Sequence, residues 1–245
     1  MVEGGINMNI AVIFAGGSGT RMHTKDKPKQ FLMVHGKPII VHTIEQFQYH
    51  DEIDGIIVVC IQDWIPYMEE MKYRYRLDKI SAIVPGGITG QLSIYNGLCA
   101  AENVYGKENN IVLIHDGVRP LINGQTISEN IKSVNENGSA ITCHLATETV
   151  ILVDDDEIVC DVPSRKKSRL AQAPQSFWLN EILDIDRKAI DDGNIDMIDS
   201  CTMMRHYGKE LSVVIGPSEN IKITTPSDFY TFRALYDAKE NKQLL

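Results

Sequence analysis

Gly55-Ile56-Ile57-Val58-Val59-Cys60 is apolar at every position after its glycine. A strand with one wet face alternates, so a continuous run of this length predicts a strand buried on both faces. Similar short runs lie on either side: Ile10 to Phe14, Ile80 to Val84 and Ile111 to Ile114. Segments of helical period separate and follow them at Pro38–Phe47, Ile65–Tyr75, Thr89–Glu102 and Ile127–Asn135. Strands spaced by helices predict an α/β fold with a mainly parallel sheet covered on both faces. In such a sheet ligands bind beyond the carboxyl ends of the strands. That rule selects the loops after Phe14, Val84 and Ile114.

The middle of the chain changes character. Ala140–Ala146 and Thr149–Val153 are β-rich, Asp154-Asp155-Asp156 suits a tight turn, and Glu157–Val162 returns as a second strand. A basic stretch follows, with Arg165, Lys166, Lys167 and Arg169. A hairpin of this kind, projecting from an α/β domain, suits a partner subunit. The last third returns to helix, strand and helix at Leu179–Ile190, Leu211–Ile215 and Pro226–Lys239. The expected organisation is a single domain over residues 1–245, with an arm at about 143–172.

Composition excludes several classes. With 245 residues and a formal net charge of -9, the chain can bury a full core, and it lacks the positive excess of a nucleic-acid binder. A site for an anionic substrate must therefore concentrate its Lys and Arg locally. The five cysteines, at 60, 99, 143, 160 and 201, are odd in number and show no C-x-x-C spacing, which fits a reducing cytoplasm. No apolar run approaches the roughly 18 residues of a membrane span. Met1 to Asn9 has no basic start or apolar middle, so no secretion signal is expected. Asn137-Gly138-Ser139 then matches the glycosylation pattern by chance. His23, His35, His42 and His144 lack metal-ligand spacing.

Chemistry is concentrated in a few short motifs. Ala15-Gly16-Gly17-Ser18-Gly19-Thr20-Arg21-Met22 is followed by Lys27-Pro28-Lys29-Gln30-Phe31. Glycines let backbone N–H groups approach phosphate oxygens, and Arg21 and Lys29 add positive charge. The segment matches neither the dinucleotide fingerprint nor G-x-x-x-x-G-K-[ST]. A solvated Gly-rich turn is the bland alternative. His115-Asp116-Gly117-Val118-Arg119-Pro120 follows a strand. There Asp116 suits Mg²⁺, and Arg119 could fix either Asp116 or a phosphate; an N-cap with an ion-pair partner also explains the pair. Asn220-Ile221-Lys222-Ile223-Thr224-Thr225-Pro226-Ser227-Asp228 precedes the last helix, and Lys222 could equally be a surface lysine.

These motifs, with Gly36-Lys37-Pro38-Ile39-Ile40-Val41-His42-Thr43-Ile44-Glu45-Gln46-Phe47, resemble the cytidylyltransferases that activate polyol phosphates with CTP. The resemblance runs from about Ile10 to Leu235. It implies a Rossmann-like three-layer sheet of the nucleotide-diphospho-sugar transferase type, with a projecting β-hairpin arm. It implies that Ala15, Gly16, Gly17, Gly19, Arg21 and Lys29 grip the triphosphate. Gly86, Gly87 and Ser93 would face the cytosine, and Asp116 would lie beside nucleotide and metal. Arg21, Lys29 and Lys222 become the candidate catalytic residues. Thr149, Arg165, Arg119 and Lys222 become the candidates for the polyol phosphate, with Arg165 and Thr149 reaching a partner's site from the arm of a homodimer. Gln172-Ala173-Pro174-Gln175-Ser176-Phe177 matches the family's Q-x-P-Q-x-F, and Asp199 falls at a family aspartate where a helix cap is the expected role. The chain departs from the family's G-G-x-x-R-x-x-S, with Gly90 at the arginine and Ile88 after the glycines.

Val118 before Arg119-Pro120, and Pro163-Ser164-Arg165 at the arm, are nearer the ribitol 5-phosphate branch than the methylerythritol 4-phosphate branch of isoprenoid synthesis. The expected reaction is CMP transfer from CTP to D-ribitol 5-phosphate, with Mg²⁺ as cofactor, in the supply of wall or capsule polymers. The rival expectations are the methylerythritol enzyme, a non-catalytic nucleotide binder on the same fold, and a sugar-1-phosphate nucleotidyltransferase.

Overall fold

The computed structural model describes residues 7–16 and 27–241. Its strands sort their side chains with a period of two into two cores. In β1 (Asn9–Ala15), Ala11, Ile13 and Ala15 join one core while Ile10 and Val12 join the other. In β4 (Gly55–Cys60), Ile56, Val58 and Cys60 separate from Ile57 and Val59 in the same way. Both faces of these strands are dry, which explains a sequence that is apolar without alternation.

The helices supply the outer layers. On one face lie α1 (Ile39–Gln48), α2 (Ile65–Arg74) and α4 (Gly124–Asn137), which contribute Ile44, Phe47, Met68, Ile127 and Val134 to the first core. On the other lie α3 (Gly90–Tyr105), α5 (Leu179–Asp191) and α6 (Ser200–His206), which contribute Leu98, Ile182, Leu183 and Met203 to the second. A third, smaller cluster joins Val34, Ile39, Val118, Leu121 and Ile223 to Phe232 of α7 (Pro226–Asn241). No helix among the described residues is long and apolar enough to cross a membrane.

Among the described residues the main sheet has seven strands, in the order β11-β7-β10-β6-β1-β4-β5. Here β5 is Ile80–Pro85, β6 is Ile111–Asp116, β7 is Ser139–Leu145, β10 is Arg169–Trp178 and β11 is Val213–Ile215. β1 pairs in parallel with β4 on one side and β6 on the other. The chain therefore reverses its direction of winding beside β1, and the crevice at the carboxyl ends of β1 and β6 is the switch point where ligands bind in such sheets.

The sheet is parallel except for β10, which lies antiparallel between β6 and β7. This interior strand is absent from the sequence expectations. Pro174 argues against a central strand, and Gln172 and Gln175 interrupt its apolar character. The structure accommodates Pro174 where the β10–β7 register shifts between Ala171 and Gln175, with a cis Ala173–Pro174 peptide.

The arm is also shorter than expected. β7 and β10 pair out to Leu145 and Arg169, so 143–145 and 169–172 belong to the main sheet and only 146–168 extend beyond it. Its strands shrink to β8 (Leu152–Val153) and β9 (Val159–Asp161). The predicted turn is present, with Asp154 Oδ1 accepting from the backbone N–H groups of Asp156 and Ile158, both at 3.0 Å. A two-stranded ribbon, β2 (Met33–Val34) with β3 (Lys37–Pro38), precedes α1.

The distance from α3 to the sheet is set at Gly97. A Cβ there would lie 2.6 Å from Val12 Cγ1 and 2.7 Å from Val59 Cγ2. Overpacking so close costs typically 1–3 kcal/mol. Gly97→Val is expected to lower unfolding stability in urea by about 2 kcal/mol. An unchanged midpoint would show that this contact does not fix the layer spacing.

Candidate active site

The carboxyl ends of β1, β5 and β6 converge. Gly16 follows β1, and its Cα lies 3.5 Å from the position a Cβ would take on Gly86. A side chain on Gly86 would also meet Ser93 Oγ at 3.0 Å, so the two turns pack backbone to backbone. Ser93, buried in the first turn of α3, holds them: its Oγ accepts from Gly87 N–H at 3.0 Å and donates to the Thr89 carbonyl at 2.8 Å. Ala15 closes β1, and its carbonyl accepts from the buried Gln30 amide at 2.7 Å. Phe31 stacks on Trp64 with ring centroids 4.9 Å apart. Gln30 and Phe31 thus place the short turn that carries Lys29.

Asp116 ends β6 and is buried. Its Oδ1 lies 2.6 Å from Lys222 Nζ, and its Oδ2 accepts from Arg119 Nε at 2.8 Å. Burial alone would raise its pKa, but Lys222 and Arg119 outweigh that effect and hold it at about 2. The neighbouring His115 is fully buried, and desolvation holds it down to about 4. It is therefore neutral, with Nε2 donating to the Arg119 carbonyl at 3.1 Å.

The segment carrying Lys222 is not a strand; specific bonds tie it to the Asp116 loop. Arg119 Nη1 donates to the Asn220 carbonyl at 2.7 Å, and Ile223 N–H donates to the Val118 carbonyl at 3.0 Å. Lys29 Nζ donates to the Ile223 carbonyl at 2.9 Å, which ties Lys29 to this segment across 194 positions of sequence. Asp228 then collects the N–H groups of Thr224 and Thr225, at 2.9 and 2.7 Å, as Pro226 opens α7. Arg119 and Lys222 thus meet one carboxylate at the switch point and Lys29 is tied to the same segment, the local positive charge that an acidic chain needs to hold an anion.

Beside this cluster opens a cavity of about 290 Å³, lined among others by Phe14, Asp116, Arg119, Gln172, Asp186 and Lys222. Thr149 and Arg165 do not line it. Both are exposed on the arm, where Arg165 Nη1 donates to the Thr147 carbonyl at 3.3 Å. Gly17, Gly19 and Arg21 lie outside the described residues.

Residues 9–237 match the IspD family, described as 2-C-methyl-D-erythritol 4-phosphate cytidylyltransferase. The chain belongs to the IspD cytidylyltransferase family. It is 58% identical over 237 residues to a ribitol-5-phosphate cytidylyltransferase of Streptococcus agalactiae serotype III, covering 97% of this chain and 99% of that protein. It is 36% identical over 223 residues to a 2-C-methyl-D-erythritol 4-phosphate cytidylyltransferase of Clostridium botulinum strain 657, covering 91% and 95%. Its fold superposes with a TM-score of 0.81 on the 4-diphosphocytidyl-2C-methyl-D-erythritol synthase of Anaerococcus prevotii, at 28% identity, covering 94% of this chain and 96% of that one. The Rossmann-like sheet with its arm is the fold expected from the sequence.

In this cytidylyltransferase the turn that lacks the family's arginine is held by other bonds. Thr89 caps α3 by accepting from Leu92 N–H at 3.1 Å, and its hydroxyl donates to the Ile195 carbonyl at 2.5 Å. Asn96 Nδ2 donates to the Pro85 carbonyl at 3.1 Å. Gly90 is exposed, and nothing lies within 4 Å of where its Cβ would be. Ile88 is exposed as well.

Sequence reasoning missed Gln91 and Asp186. The buried Gln91 amide donates to Asp186 Oδ1 and to the Asn194 carbonyl, both at 3.0 Å, and its oxygen accepts from Met197 N–H at 2.9 Å. A signal was available: Asp186 falls on the buried stripe of α5, between Leu183 and Ala189. A carboxylate at an apolar position of a 3.6-residue pattern marks something other than core. Asp199 caps α6 as expected, accepting from Thr202 N–H at 2.8 Å, and it also accepts from the Gln175 amide at 2.9 Å.

Burial pushes the Asp186 carboxyl up to about 6, and the bond from Gln91 offsets only part of that. In the unfolded chain the group titrates near about 4. Between these values the folded state binds the proton first, so this contribution to stability is largest at low pH and is lost as pH rises through about 6. Asp186→Asn removes the titration. Wild type is therefore expected to gain about 2 kcal/mol relative to Asp186→Asn in urea unfolding between pH 7 and pH 4.5. A constant difference between the two proteins would contradict the burial argument.

Proposed function

We propose that this cytidylyltransferase transfers the cytidylyl group of CTP to D-ribitol 5-phosphate, forming CDP-ribitol and releasing pyrophosphate. The observation that carries the chemistry is the pairing of Arg119 and Lys222 with Asp116 at the sheet's switch point, with Lys29 bonded to the segment that carries Lys222. The choice of acceptor draws on the 58% identity to a ribitol-5-phosphate enzyme, set against 36% for a methylerythritol one. Methylerythritol 4-phosphate is the less favoured alternative.

The acceptor's phosphate oxygen attacks the α-phosphorus of CTP, and the bond to the β-phosphate oxygen breaks as pyrophosphate leaves. The nucleophile is already an anion, so no protein base is required. The difficulty is charge, because two anions must meet and negative charge spreads over the transition state. Preorganised cations meet that demand without reorganising during the step. Arg21 and Lys29 hold the triphosphate and the α-phosphate, with Ala15, Gly16, Gly17 and Gly19 contributing backbone N–H groups. Gly86 and Gly87 present backbone to the base, and Ser93 keeps their turn in place. Lys222 and Arg119 meet the acceptor phosphate. In the absence of anions their charge is balanced by Asp116, which keeps them aligned.

A single buried carboxylate suits Mg²⁺ when phosphate oxygens and water complete the ion's shell. Asp116 would hold the ion from the protein side, and the ion would draw negative charge from the triphosphate. Each carboxylate oxygen accepts one contact, from Lys222 or Arg119, and keeps a lone pair for the ion.

The arm suits a homodimer contact. Ile151, Leu152, Val153, Ile158, Val159 and Val162 are all exposed on it, a concentration of apolar surface that marks an interaction site. In this reading Arg165 and Thr149 reach the polyol phosphate in the partner's site. The five free cysteines suit a cytoplasmic enzyme, and CDP-ribitol suits a role in wall or capsule polymers.

Lys29→Ala is expected to lower kcat by about a hundredfold or more, the loss of one strong electrostatic stabiliser. Near-normal turnover would remove Lys29 from the chemistry. Pyrophosphate release from CTP with each polyol phosphate in turn tests the acceptor. Ribitol 5-phosphate is expected to react well ahead of methylerythritol 4-phosphate, and comparable rates would deprive the choice of acceptor of its support. CTP binding with no release from either would identify a non-catalytic nucleotide binder.

A further inference from the structure

We infer that Asp186 sets acceptor specificity, its Oδ2 receiving a hydrogen bond from a polyol hydroxyl remote from the phosphate, with Gln172 Oε1 as a second acceptor. The inference rests on ribitol 5-phosphate as the acceptor and adds which side chains recognise its hydroxyls.

Both residues line the cavity beside the cation cluster. Asp186 is 0% exposed and Gln172 5%. Each leaves one buried oxygen without a hydrogen-bond partner among the described residues, Asp186 Oδ2 and Gln172 Oε1. The Gln172 amide nitrogen donates to the Asn220 carbonyl at 3.3 Å, so the oxygen is the atom left over. Buried acceptors without donors are uncommon, because desolvation is not repaid until a donor arrives. Two of them on residues that line one cavity point to a ligand rich in hydroxyl donors.

The rest of the Asp186 environment does not require a carboxylate. Gln91 needs one acceptor, which Oδ1 provides, and its remaining contacts are to the backbone at Asn194 and Met197 and to the Met203 sulfur. A neutral amide at position 186 would serve Gln91 equally. The second carboxylate oxygen has no hydrogen-bond partner among the described residues. Lys222 and Arg119 assign the phosphate to their own part of the same cavity. The hydroxyl chain of a pentitol phosphate then extends toward the part without cations, where Asp186 and Gln172 stand. Gly90 lines the same cavity and, with no side chain, leaves that part open.

Asp186→Asn can keep an acceptor for Gln91 while placing an NH₂ donor where Oδ2 stood. Initial rates of pyrophosphate release from CTP are measured with ribitol 5-phosphate and with each monodeoxy-ribitol 5-phosphate. For wild type, removal of one hydroxyl remote from the phosphate is expected to raise KM about tenfold or more. Asp186→Asn is expected to raise KM for ribitol 5-phosphate by about the same factor, to leave KM for CTP unchanged, and to lose the discrimination against that analogue. A general disturbance of the fold would not erase a difference between two acceptors. If Asp186→Asn discriminates among the analogues as wild type does, Asp186 does not read the acceptor. Should that variant fail to fold, Asp186→Ser and the wild-type series carry the test. A wild type indifferent to every remote hydroxyl would then overturn the inference. If wild type releases no pyrophosphate with ribitol 5-phosphate, the choice of acceptor itself falls, and the role of Asp186 with it.

Discussion

The site depends on one buried carboxylate held between two cations. Asp116 lies at the end of a strand with both faces covered, where an unpaired charge would cost several kcal/mol. Lys222 and Arg119 remove that cost, and in doing so they bind the C-terminal segment to the centre of the sheet. Arg119 continues to the Asn220 carbonyl, Asn220 Nδ2 donates to the Ala173 carbonyl, and Lys29 closes on Ile223. Residues from four distant parts of the chain are fixed around one point. The ion pairs thus organise the site more than they stabilise the fold.

This arrangement explains how an acidic protein attracts polyanions. The net charge of -9 opposes CTP and a sugar phosphate at long range. Beside Asp116 the local balance reverses, since two cations, Lys222 and Arg119, pair with that one carboxylate. A concave, partly dry site strengthens such a local field, while the surrounding charge is screened by salt.

The fold was legible wherever burial acts on a whole element. GIIVVC and its neighbours declare a covered parallel sheet because nothing polar fits on either face. The three loops selected at strand ends include both the paired turns at Gly16 and Gly86 and the carboxylate at Asp116. Legibility failed at β10, where Pro174 and two glutamines disguise an interior strand. Its conformation is set by long-range pairing with β6 and β7 and by a register shift that local propensity does not encode. The motifs named Lys29, Asp116, Arg119 and Lys222 individually, but their proximity follows from bonds across 101 and 194 positions. Asp186 was visible as an anomaly on an apolar stripe, yet its partner Gln91 stands 95 residues earlier and no local pattern links the two.

β10 also has a mechanical consequence. The strand begins at Arg169, where the arm rejoins the sheet, and three residues later it supplies Gln172 to the cavity wall. That span is about 10 Å of extended backbone, stiffened by pairing on β7. The arm's root and the cavity wall are therefore parts of one short beam. A partner seated on the arm would load the same beam that shapes the pocket.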